Sequence, residues 1–197
     1  MNRAAFLDRD GVINRKAREG EYVTRWEDMQ ILPGVPEAIA QLHRADFRVI
    51  VVSNQRCVAK GLITISDLAT LHETMCKTLA TAKATVDAVY YCPHEKEPPC
   101  RCRKPAPGML FDAARAHDID LHASWMIGDS SADIIAGRSA GCRTALVCEN
   151  VRDRNEESEI VGISLLDAVQ QILEREEALA DHSSNTNIAS ASNSRRQ

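Results

Sequence analysis

The chain of 197 residues contains 44% apolar and 26% charged residues, as ordinary globular proteins do, and its formal net charge is −4. This length predicts one domain with its own core, and the negative charge argues against nucleic acid or an anionic membrane as a partner. Because no long apolar stretch follows Met1-Asn2-Arg3, we expect no signal peptide and no membrane span, and we expect a cytoplasmic, monomeric protein. Seven cysteines, an odd number, fit a reducing compartment better than a secreted disulfide framework.

The first predicted element is a short buried strand that ends in two acidic residues. The apolar run 4–7 is followed directly by Asp8, Arg9, Asp10 and Gly11. In open α/β sheets ligands bind beyond the carboxyl ends of the strands, and two acids at such an end usually hold a cation or have separated pKa values. On spacing alone, a polar turn after an edge strand explains Asp8 and Asp10 equally well.

Strands and helices alternate along the rest of the chain. Residues 14–32 form a polar flap that is too short for a cap domain with its own core. Continuous apolar or β-branched runs predict strands, and apolar residues at helical spacing predict helices. In chain order we expect a helix from 33, a strand 47–52, a helix 65–79, a strand 86–91, a helix 108–117, a strand 125–127, a helix 131–140, strands 144–147 and 160–163, and a helix from Ser164. This order predicts an α/β fold, a doubly wound parallel sheet without a large cap domain in residues 1–180, and a disordered polar tail in residues 181–197.

Polar residues follow two further predicted strands. Ser53, Asn54 and Gln55 come after the strand 47–52, and Asp129 comes after the strand 125–127. Because the carboxyl ends of parallel strands meet at one edge of a sheet, we expect these residues to lie near Asp8. A serine at a strand end is usually a turn residue, but here its hydroxyl and the free amides of the turn suit a phosphoryl oxygen.

A loop with three cysteines and one histidine follows the predicted strand 86–91. The candidate ligands are Cys92, His94, Cys100 and Cys102. Two such pairs separated by a short loop are typical of tetrahedral zinc, and four protein ligands would make the metal structural. A disulfide within the second pair would be strained and would leave the histidine unexplained, while cysteines that are close by chance are the alternative. A zinc loop at 92–102 would fix the position of Arg103 and Lys104.

The order of these motifs resembles that of the haloacid-dehalogenase-like phosphohydrolases. The segments that carry the resemblance are Asp8-Arg9-Asp10-Gly11, Ser53-Asn54-Gln55, Arg103-Lys104-Pro105 and Gly128-Asp129. Together with the zinc loop, they are similar to the branch that contains heptose bisphosphate phosphatases and histidinol-phosphate phosphatases. The resemblance implies a Rossmann-like fold and hydrolysis of a phosphate monoester through an aspartyl-phosphate intermediate.

The resemblance also implies a role for each motif residue. Asp8 would be the nucleophile, and Asp10 the general acid and later the base, with a pKa raised by burial and by a neighbouring carboxylate. Ser53 and Lys104 would stabilise the phosphoryl group. Mg²⁺ would be held by the side chains of Asp8 and Asp129 and by the backbone carbonyl of Asp10. The residues expected to contact the substrate are Asn54, Gln55, Arg103, Glu19, Gly20, Glu21 and Tyr22.

The expected substrate is a small phosphorylated metabolite, either a sugar bisphosphate or histidinol phosphate. Many relatives carry lysine directly after the motif-four aspartate, and Ser130 in this position puts the contact with a second phosphate in question. The basic flap residues could contact a distal anionic group of the substrate, or they could simply face solvent. These residues are Arg15, Lys16 and Arg18. Asp133 would hold Lys104 or a metal-bound water, or act only as an acid at a helix N-terminus. The alternative outside the enzymes is an inactive relative that serves as a zinc-stabilised interaction module. The retained motif residues argue against it.

Overall fold

A computed structural model of the protein describes residues 1–148 and 158–193, with side chains up to residue 179. The strands in these ranges are β1 (Arg3–Leu7), β2 (Phe47–Asn54), β3 (Ala88–Cys92), β4 (Trp125–Gly128), β5 (Arg143–Val147) and β6 (Ile160–Gly162). The α-helices are α1 (Val35–Arg44), α2 (Ile65–Thr81), α3 (Gly108–His117), α4 (Ser131–Ala140) and α5 (Leu165–Asn193). Neighbouring strands all pair in parallel in the order β3-β2-β1-β4-β5-β6, so the predicted doubly wound sheet is confirmed.

The alternation of side chains along the strands explains why helices cover both faces of the sheet. In β1, Ala5 and Leu7 point into one apolar core, whereas Ala4 and Phe6 point into the other. Helices α1, α2 and α5 contribute to the first core, and α3 and α4 contribute to the second. All four of these β1 side chains are fully buried, as expected for the central strand of a two-faced sheet.

Strand β1 lies where the winding of the chain reverses direction. From β1 the chain winds to β2 and β3 on one side of the sheet, and it then crosses to β4 on the other side. Ligands of such sheets bind in the crevice beyond the strand ends at this reversal. Asp8 follows β1 and Asp129 follows β4, and the N–H of Asp8 donates to the carbonyl of Ile127 at 2.9 Å. The topology therefore brings the first and the last motif together.

Two glycines allow the strand ends to approach each other closely. Gly11 has a φ of +92°, and a Cβ placed on it would lie 2.2 Å from Oδ2 of Asp129. A Cβ placed on Gly128 would lie 2.1 Å from Cβ of Asp133. Both distances are far shorter than a van der Waals contact, so only glycine fits at either position.

The flap is a loop whose regular structure is limited to the short 3₁₀ helix Trp26–Asp28, and no cap domain is built from it, as predicted. Helix α5 continues through residues 181–193, where the sequence predicts disorder, and residues 194–197 lie outside the described residues. The division into a domain of residues 1–180 and a tail of residues 181–197 stays a prediction. Among the described helices, none combines the length and the apolar composition that crossing a membrane requires.

Glu176 of helix α5 joins this helix to the amino-terminal ends of three strands. Its carboxylate accepts hydrogen bonds from Arg3 of β1 at 3.0 Å, from Arg143 of β5 at 2.6 Å and from the indole of Trp125 in β4 at 3.3 Å. The guanidinium carbon of Arg143 also lies 4.1 Å from the centre of the Trp125 ring. The Glu176 carboxylate thus ties α5 to the edge of the sheet where the strands begin, whereas the motifs lie at the edge where the strands end.

Candidate active site

The sequence motifs converge on a cavity of about 490 Å³ beyond the carboxyl ends of β1, β2 and β4. The predicted site residues that line it are Asp8, Asp10, Glu19, Gly20, Glu21, Tyr22, Ser53, Asn54, Arg103, Lys104 and Asp129. Gln55 does not line the cavity, but it contacts Asp10 and Ser53, which do. The charged lining residues for which the sequence suggested no role are Arg9 and Lys96.

Lys104 is the electrostatic centre of the cavity. Its side chain is 2% exposed, and its ammonium lies 2.9 Å from Oδ1 of Asp8, 2.6 Å from Oδ1 of Asp133 and 2.7 Å from the carbonyl oxygen of Val52. The ammonium thus donates a hydrogen bond to Val52 and forms ion pairs with both carboxylates. Burial acts to lower the pKa of Lys104, but Asp8 and Asp133 outweigh it and raise the pKa above its ordinary value. The lysine is therefore a fixed positive charge.

Asp133 combines two of the roles that the sequence left open. Its Oδ1 holds Lys104, and its Oδ2 accepts hydrogen bonds from the backbone N–H of Ser130 at 3.1 Å and from the Ser130 hydroxyl at 2.5 Å. The first of these bonds is part of a capping box at the start of α4, in which the Ser130 side chain also accepts from the backbone N–H of Asp133. The prediction that Asp133 holds Lys104 is confirmed, and Ser130 serves as the cap of the helix.

Asp8 is held in place through a single oxygen. Its Oδ1 accepts from Lys104 and, at 2.7 Å, from the backbone N–H of Arg9. Burial raises the pKa of Asp8 to about 7; Lys104 opposes this rise, whereas Asp133 and Asp10 add to it. A divalent cation next to Asp8 would lower the pKa again, because positive charge favours the carboxylate.

Three carboxylates at the strand ends could hold a cation. The ligand atoms of Asp8, Asp129 and Asp133 all lie within 4.8 Å of one another. The side chains of Asp8 and Asp129 are 13% and 14% exposed, whereas that of Asp133 is fully buried around Lys104. Burial raises the pKa of Asp129, and Lys16 of the flap donates to its Oδ2 at 2.6 Å. Because Mg²⁺ prefers a few carboxylate oxygens and retained waters, Asp8 and Asp129 fit this metal.

Asp10 is bound in an ion pair with Arg9. Arg9 donates to both carboxylate oxygens at 2.8 Å, and Asn14 and Gln55 each donate to one of them at 3.0 Å. Burial acts to raise the pKa of Asp10, but the Arg9 charge and these hydrogen bonds outweigh it, so the pKa is lowered. The expectation of a raised pKa is wrong for this arrangement, because the arginine between the two acids folds back onto the second one.

The last residue of β2, Asn54, and the residue after it, Gln55, hold other site residues in position. The side-chain amide of Asn54 donates to the carbonyl of Lys104 at 3.0 Å, and its Oδ1 accepts the N–H of Lys104 at 3.0 Å. Gln55 donates to Asp10 at 3.0 Å and to the hydroxyl oxygen of Ser53 at 2.8 Å. Asn54 and Gln55 therefore position other site residues, and direct contact of either residue with the substrate stays a prediction.

The zinc loop has the geometry of a tetrahedral site. The separations are 3.5 Å for Cys92–Cys100, 3.3 Å for Cys92–Cys102 and 3.5 Å for Cys100–Cys102 between sulfurs, and 3.6 Å and 3.2 Å from Nδ1 of His94 to Cys92 and Cys102. Tetrahedral zinc with bonds of about 2.0 Å to nitrogen and about 2.3 Å to sulfur places its ligand atoms about 3.5–3.8 Å apart. The observed separations lie within about 0.5 Å of these values, so the residues fit this metal. Sulfurs in a disulfide would be about 2.05 Å apart, which none of these pairs approaches.

Basic side chains surround the mouth of the cavity. They are Lys16, Arg18, Lys96 and Arg103. Arg103 donates to the carbonyl of His94 at 3.2 Å, so the backbone of the zinc loop holds its guanidinium. Among the residues that the structure describes, Arg18 and Lys96 form no ion pair. The sequence could not have identified Arg9 or Lys96 as cavity residues, because a charge in a loop normally faces solvent.

Comparison with known sequences finds one family model and several relatives. The HAD-hydrolase-like family model matches residues 101–170. A D-glycero-beta-D-manno-heptose-1,7-bisphosphate 7-phosphatase from Bordetella bronchiseptica is 41% identical over 142 residues, which are 72% of this chain and 78% of the relative. A D-glycero-D-manno-heptose-1,7-bisphosphate 7-phosphatase from Thermosynechococcus vestitus is 40% identical over 162 residues, which are 77% and 81% of the two chains.

Solved structures give the same result. The crystal structure of D,D-heptose 1,7-bisphosphate phosphatase from B. bronchiseptica, complexed with magnesium and phosphate, matches with a TM-score of 0.79 and 36% identity over 88% of this chain and 99% of that one. The corresponding enzyme from Burkholderia thailandensis matches with a TM-score of 0.64 and 28% identity over 87% and 98% of the two chains. The chain belongs to the haloacid-dehalogenase-like family. Within it, the predicted enzyme class, a phosphatase, is confirmed.

Proposed function

We propose that this phosphatase removes the 7-phosphate from a D-glycero-D-manno-heptose 1,7-bisphosphate, with Mg²⁺ as cofactor and an aspartyl-phosphate intermediate. The observation that carries the proposal is the placement of Asp8, a carboxylate held by Lys104 at a cavity that Asp129 also lines. Two relatives that are 41% and 40% identical are named for this reaction, which supports the substrate. The related crystal structure with magnesium and phosphate supports the cofactor.

In the first half of the reaction a carboxylate oxygen of Asp8 attacks phosphorus, the bond to the leaving oxygen breaks, and Asp10 gives that oxygen a proton. Because Oδ1 of Asp8 accepts both of its hydrogen bonds, the other oxygen is the nucleophile. Lys104 stabilises the developing charge through its own positive charge, while Ser53 offers a hydroxyl. Mg²⁺ bound at Asp8 and Asp129 supplies the positive charge that lets an anionic carboxylate approach an anionic phosphate.

In the second half Asp10 takes a proton from the water that attacks phosphorus, and the bond between phosphorus and the Asp8 oxygen breaks. The lowered pKa of Asp10 supports this role, because a base must be ionised. The acid role requires the protonated form, which a phosphate dianion next to Asp10 favours, since negative charge raises the pKa of a neighbouring carboxyl group.

The proposal includes a structural Zn²⁺ in the zinc loop. Its four ligands are Cys92, His94, Cys100 and Cys102. The donor set and the tetrahedral spacing support this metal, and four protein ligands leave no open position for catalysis. A fixed His94 also fixes Arg103, which donates to the His94 carbonyl.

The charges at the mouth of the cavity support a substrate with a second anionic group. Arg103, Arg18 and Lys96 line the cavity, and among the described residues none of them forms an ion pair with the carboxylates that hold Lys104. Unpaired cations around a concave site attract anions and favour a phosphate over a neutral sugar end. They therefore provide, at other positions, the positive charge that the resemblance implies at the place of Ser130.

The test is phosphate release by the purified protein with Mg²⁺ from a panel of esters. The panel holds both anomers of the heptose 1,7-bisphosphate, histidinol phosphate and common sugar monophosphates, and Asp8→Asn protein serves as the blank. We expect the highest kcat/KM for a heptose bisphosphate, with the 1-phosphate sugar as the product. A higher kcat/KM for histidinol phosphate would replace the substrate but keep the chemistry. No release above the blank from any ester would contradict the proposal and favour an interaction module.

A further inference from the structure

Arg9 stands between two motif aspartates, yet its side chain is buried. It is 1% exposed, and it is one of the largest fully buried side chains of the described residues. Its Nε and Nη2 donate to Oδ1 of Asp10 at 3.2 and 2.8 Å, and Nη2 also donates to Oδ2 at 2.8 Å. A guanidinium removed from water needs acceptors for its other N–H groups as well. Asp10 satisfies only one side of this fork.

The other side of the Arg9 guanidinium faces His72 of helix α2. Nη1 of Arg9 lies 3.1 Å from Nε2 of His72, which is 4% exposed. Because a guanidinium only donates, Nε2 accepts, and the neutral ring carries its proton on Nδ1. Burial first, and the Arg9 charge second, lower the pKa of His72 to about 4, so the ring stays neutral. The ring of Tyr91 packs against it with centroids 5.5 Å apart.

Asp10 is therefore the end of a series of contacts that begins on α2. Its carboxylate accepts five hydrogen bonds, from Arg9, Asn14 and Gln55, and its side chain is 26% exposed. A carboxylate offers about four lone-pair sites, so these donors determine the orientation of the Asp10 carboxylate, which lines the cavity. A general acid must lie within hydrogen-bond reach of the leaving oxygen, and a small misplacement lowers the rate.

We propose that His72 is a positioning residue that acts through Arg9 on Asp10, so that the partly exposed carboxyl group of Asp10 faces the leaving oxygen of the substrate. His72 itself touches neither the substrate nor the reacting atoms. Without an acceptor in this position, Nη1 of Arg9 would lose its buried partner, and the guanidinium would turn toward other acceptors and take Asp10 with it. This inference rests on the proposed function, because Asp10 is a general acid only if the chain hydrolyses phosphate esters.

Two variants and two esters test the inference. His72→Phe removes the acceptor but keeps a ring, and His72→Gln returns an acceptor at a similar reach. A sugar phosphate needs a proton on its leaving oxygen, whereas the nitrophenolate of 4-nitrophenyl phosphate leaves without one. The readout is kcat/KM, which includes leaving-group departure and excludes the later hydrolysis of the intermediate. We expect His72→Phe to lower kcat/KM about 10-fold or more for the sugar phosphate and less than about threefold for the nitrophenyl ester. His72→Gln should return the sugar phosphate value to within about threefold of wild type.

Leu68→Ala is the matched control, because Leu68 is a fully buried residue of the same helix without a hydrogen-bonding group. It should lower stability and leave the ratio of the two kcat/KM values unchanged. If His72→Phe lowers both values by the same factor, or if His72→Gln does not restore the ratio, His72 has only a structural role and the inference is wrong. If His72→Phe does not fold, His72→Leu tests the same loss of the acceptor. Wild-type protein that hydrolyses neither ester would overturn the proposed function, and this inference with it.

Discussion

Replacing Asp8 with asparagine should abolish turnover. It should also make the protein without Mg²⁺ more stable against unfolding. Burial raises the pKa of Asp8 from 3.8 to about 7 in the folded protein. A difference of about 3 units, at about 1.36 kcal/mol for each unit, means that the ionised carboxylate destabilises the fold by about 4 kcal/mol. Asparagine has nearly the same volume and carries no charge, and its Oδ1 can still accept from Lys104 and from the N–H of Arg9.

The sign of the effect gives the prediction its pH dependence. The pKa of Asp8 is higher in the folded than in the unfolded chain. Asp8 therefore does not reduce the free energy of unfolding of wild type below about pH 4, where it is protonated in both states, and reduces it progressively as the pH rises to about 7. The advantage of Asp8→Asn should therefore be small near pH 4 and approach about 4 kcal/mol near pH 8. Added Mg²⁺ should stabilise wild type more than the variant, since only wild type offers a charged Asp8.

Urea unfolding at both pH values, after a mild chelator has removed Mg²⁺, measures this difference. Asp28→Asn is the control, because Asp28 is an exposed carboxylate paired with Arg25 and its loss should change stability by less than about 1 kcal/mol at either pH. An Asp8→Asn protein that is no more stable than wild type near pH 8, or whose advantage does not change with pH, would refute the reasoning. Phosphate release equal to wild type would refute Asp8 as the nucleophile.

Other parts of the site and of the fold give four further predictions. Asp10→Asn should lower kcat/KM for a sugar phosphate by about 10²–10⁴-fold and much less for 4-nitrophenyl phosphate, and equal losses would argue against acid catalysis. Mild chelation should remove activity that Mg²⁺ alone restores, with about one zinc per chain still found by elemental analysis. Cys100→Ser should lower the melting temperature and remain inactive in excess Mg²⁺. Wild-type protein that contains no zinc, or a Cys100→Ser variant that is fully active, would contradict a structural zinc. Glu176→Gln should lower the free energy of unfolding by about 1–3 kcal/mol in urea, because Arg3 and Arg143 lose their charged acceptor, and an altered kcat/KM would show that this network reaches the site.

The fold was predictable because its strands are apolar runs that are buried on both faces. The run 47–52 stands out in the sequence for this reason, although β2 continues through Ser53 and Asn54, which pair with Tyr91 and Cys92 of β3. Hydrogen bonding to a neighbouring strand keeps these two polar residues extended, and no local pattern reports it. Motif spacing likewise indicated which carboxylates would meet, because parallel strands place their ends at one edge.

The connections between motifs could not be predicted in the same way. The pairing of Asn54 with the backbone of Lys104 joins residues that are 50 positions apart, and the contact of Arg9 with His72 joins residues 63 positions apart. Such contacts depend on how the loops pack after the sheet has formed, and neither partner carries a periodic signal. The lowered pKa of Asp10 follows from the charge of Arg9 and from hydrogen bonds with Arg9, Asn14 and Gln55, which explains why reasoning from burial and a neighbouring carboxylate gave the wrong direction.

The two glycines at the strand ends determine how mutational scans of this site have to be interpreted. Every single-nucleotide change in a glycine codon that alters the residue and does not create a stop codon adds a side chain, and no side chain fits at Gly11 or Gly128 because its Cβ would collide with Asp129 or Asp133. Both positions should therefore be as intolerant of substitution as the nucleophile itself, although neither glycine has a group that could react. An inactive Gly11→Ala protein would report that Asp129 has been displaced, and reduced metal binding rather than lost chemistry would be its signature.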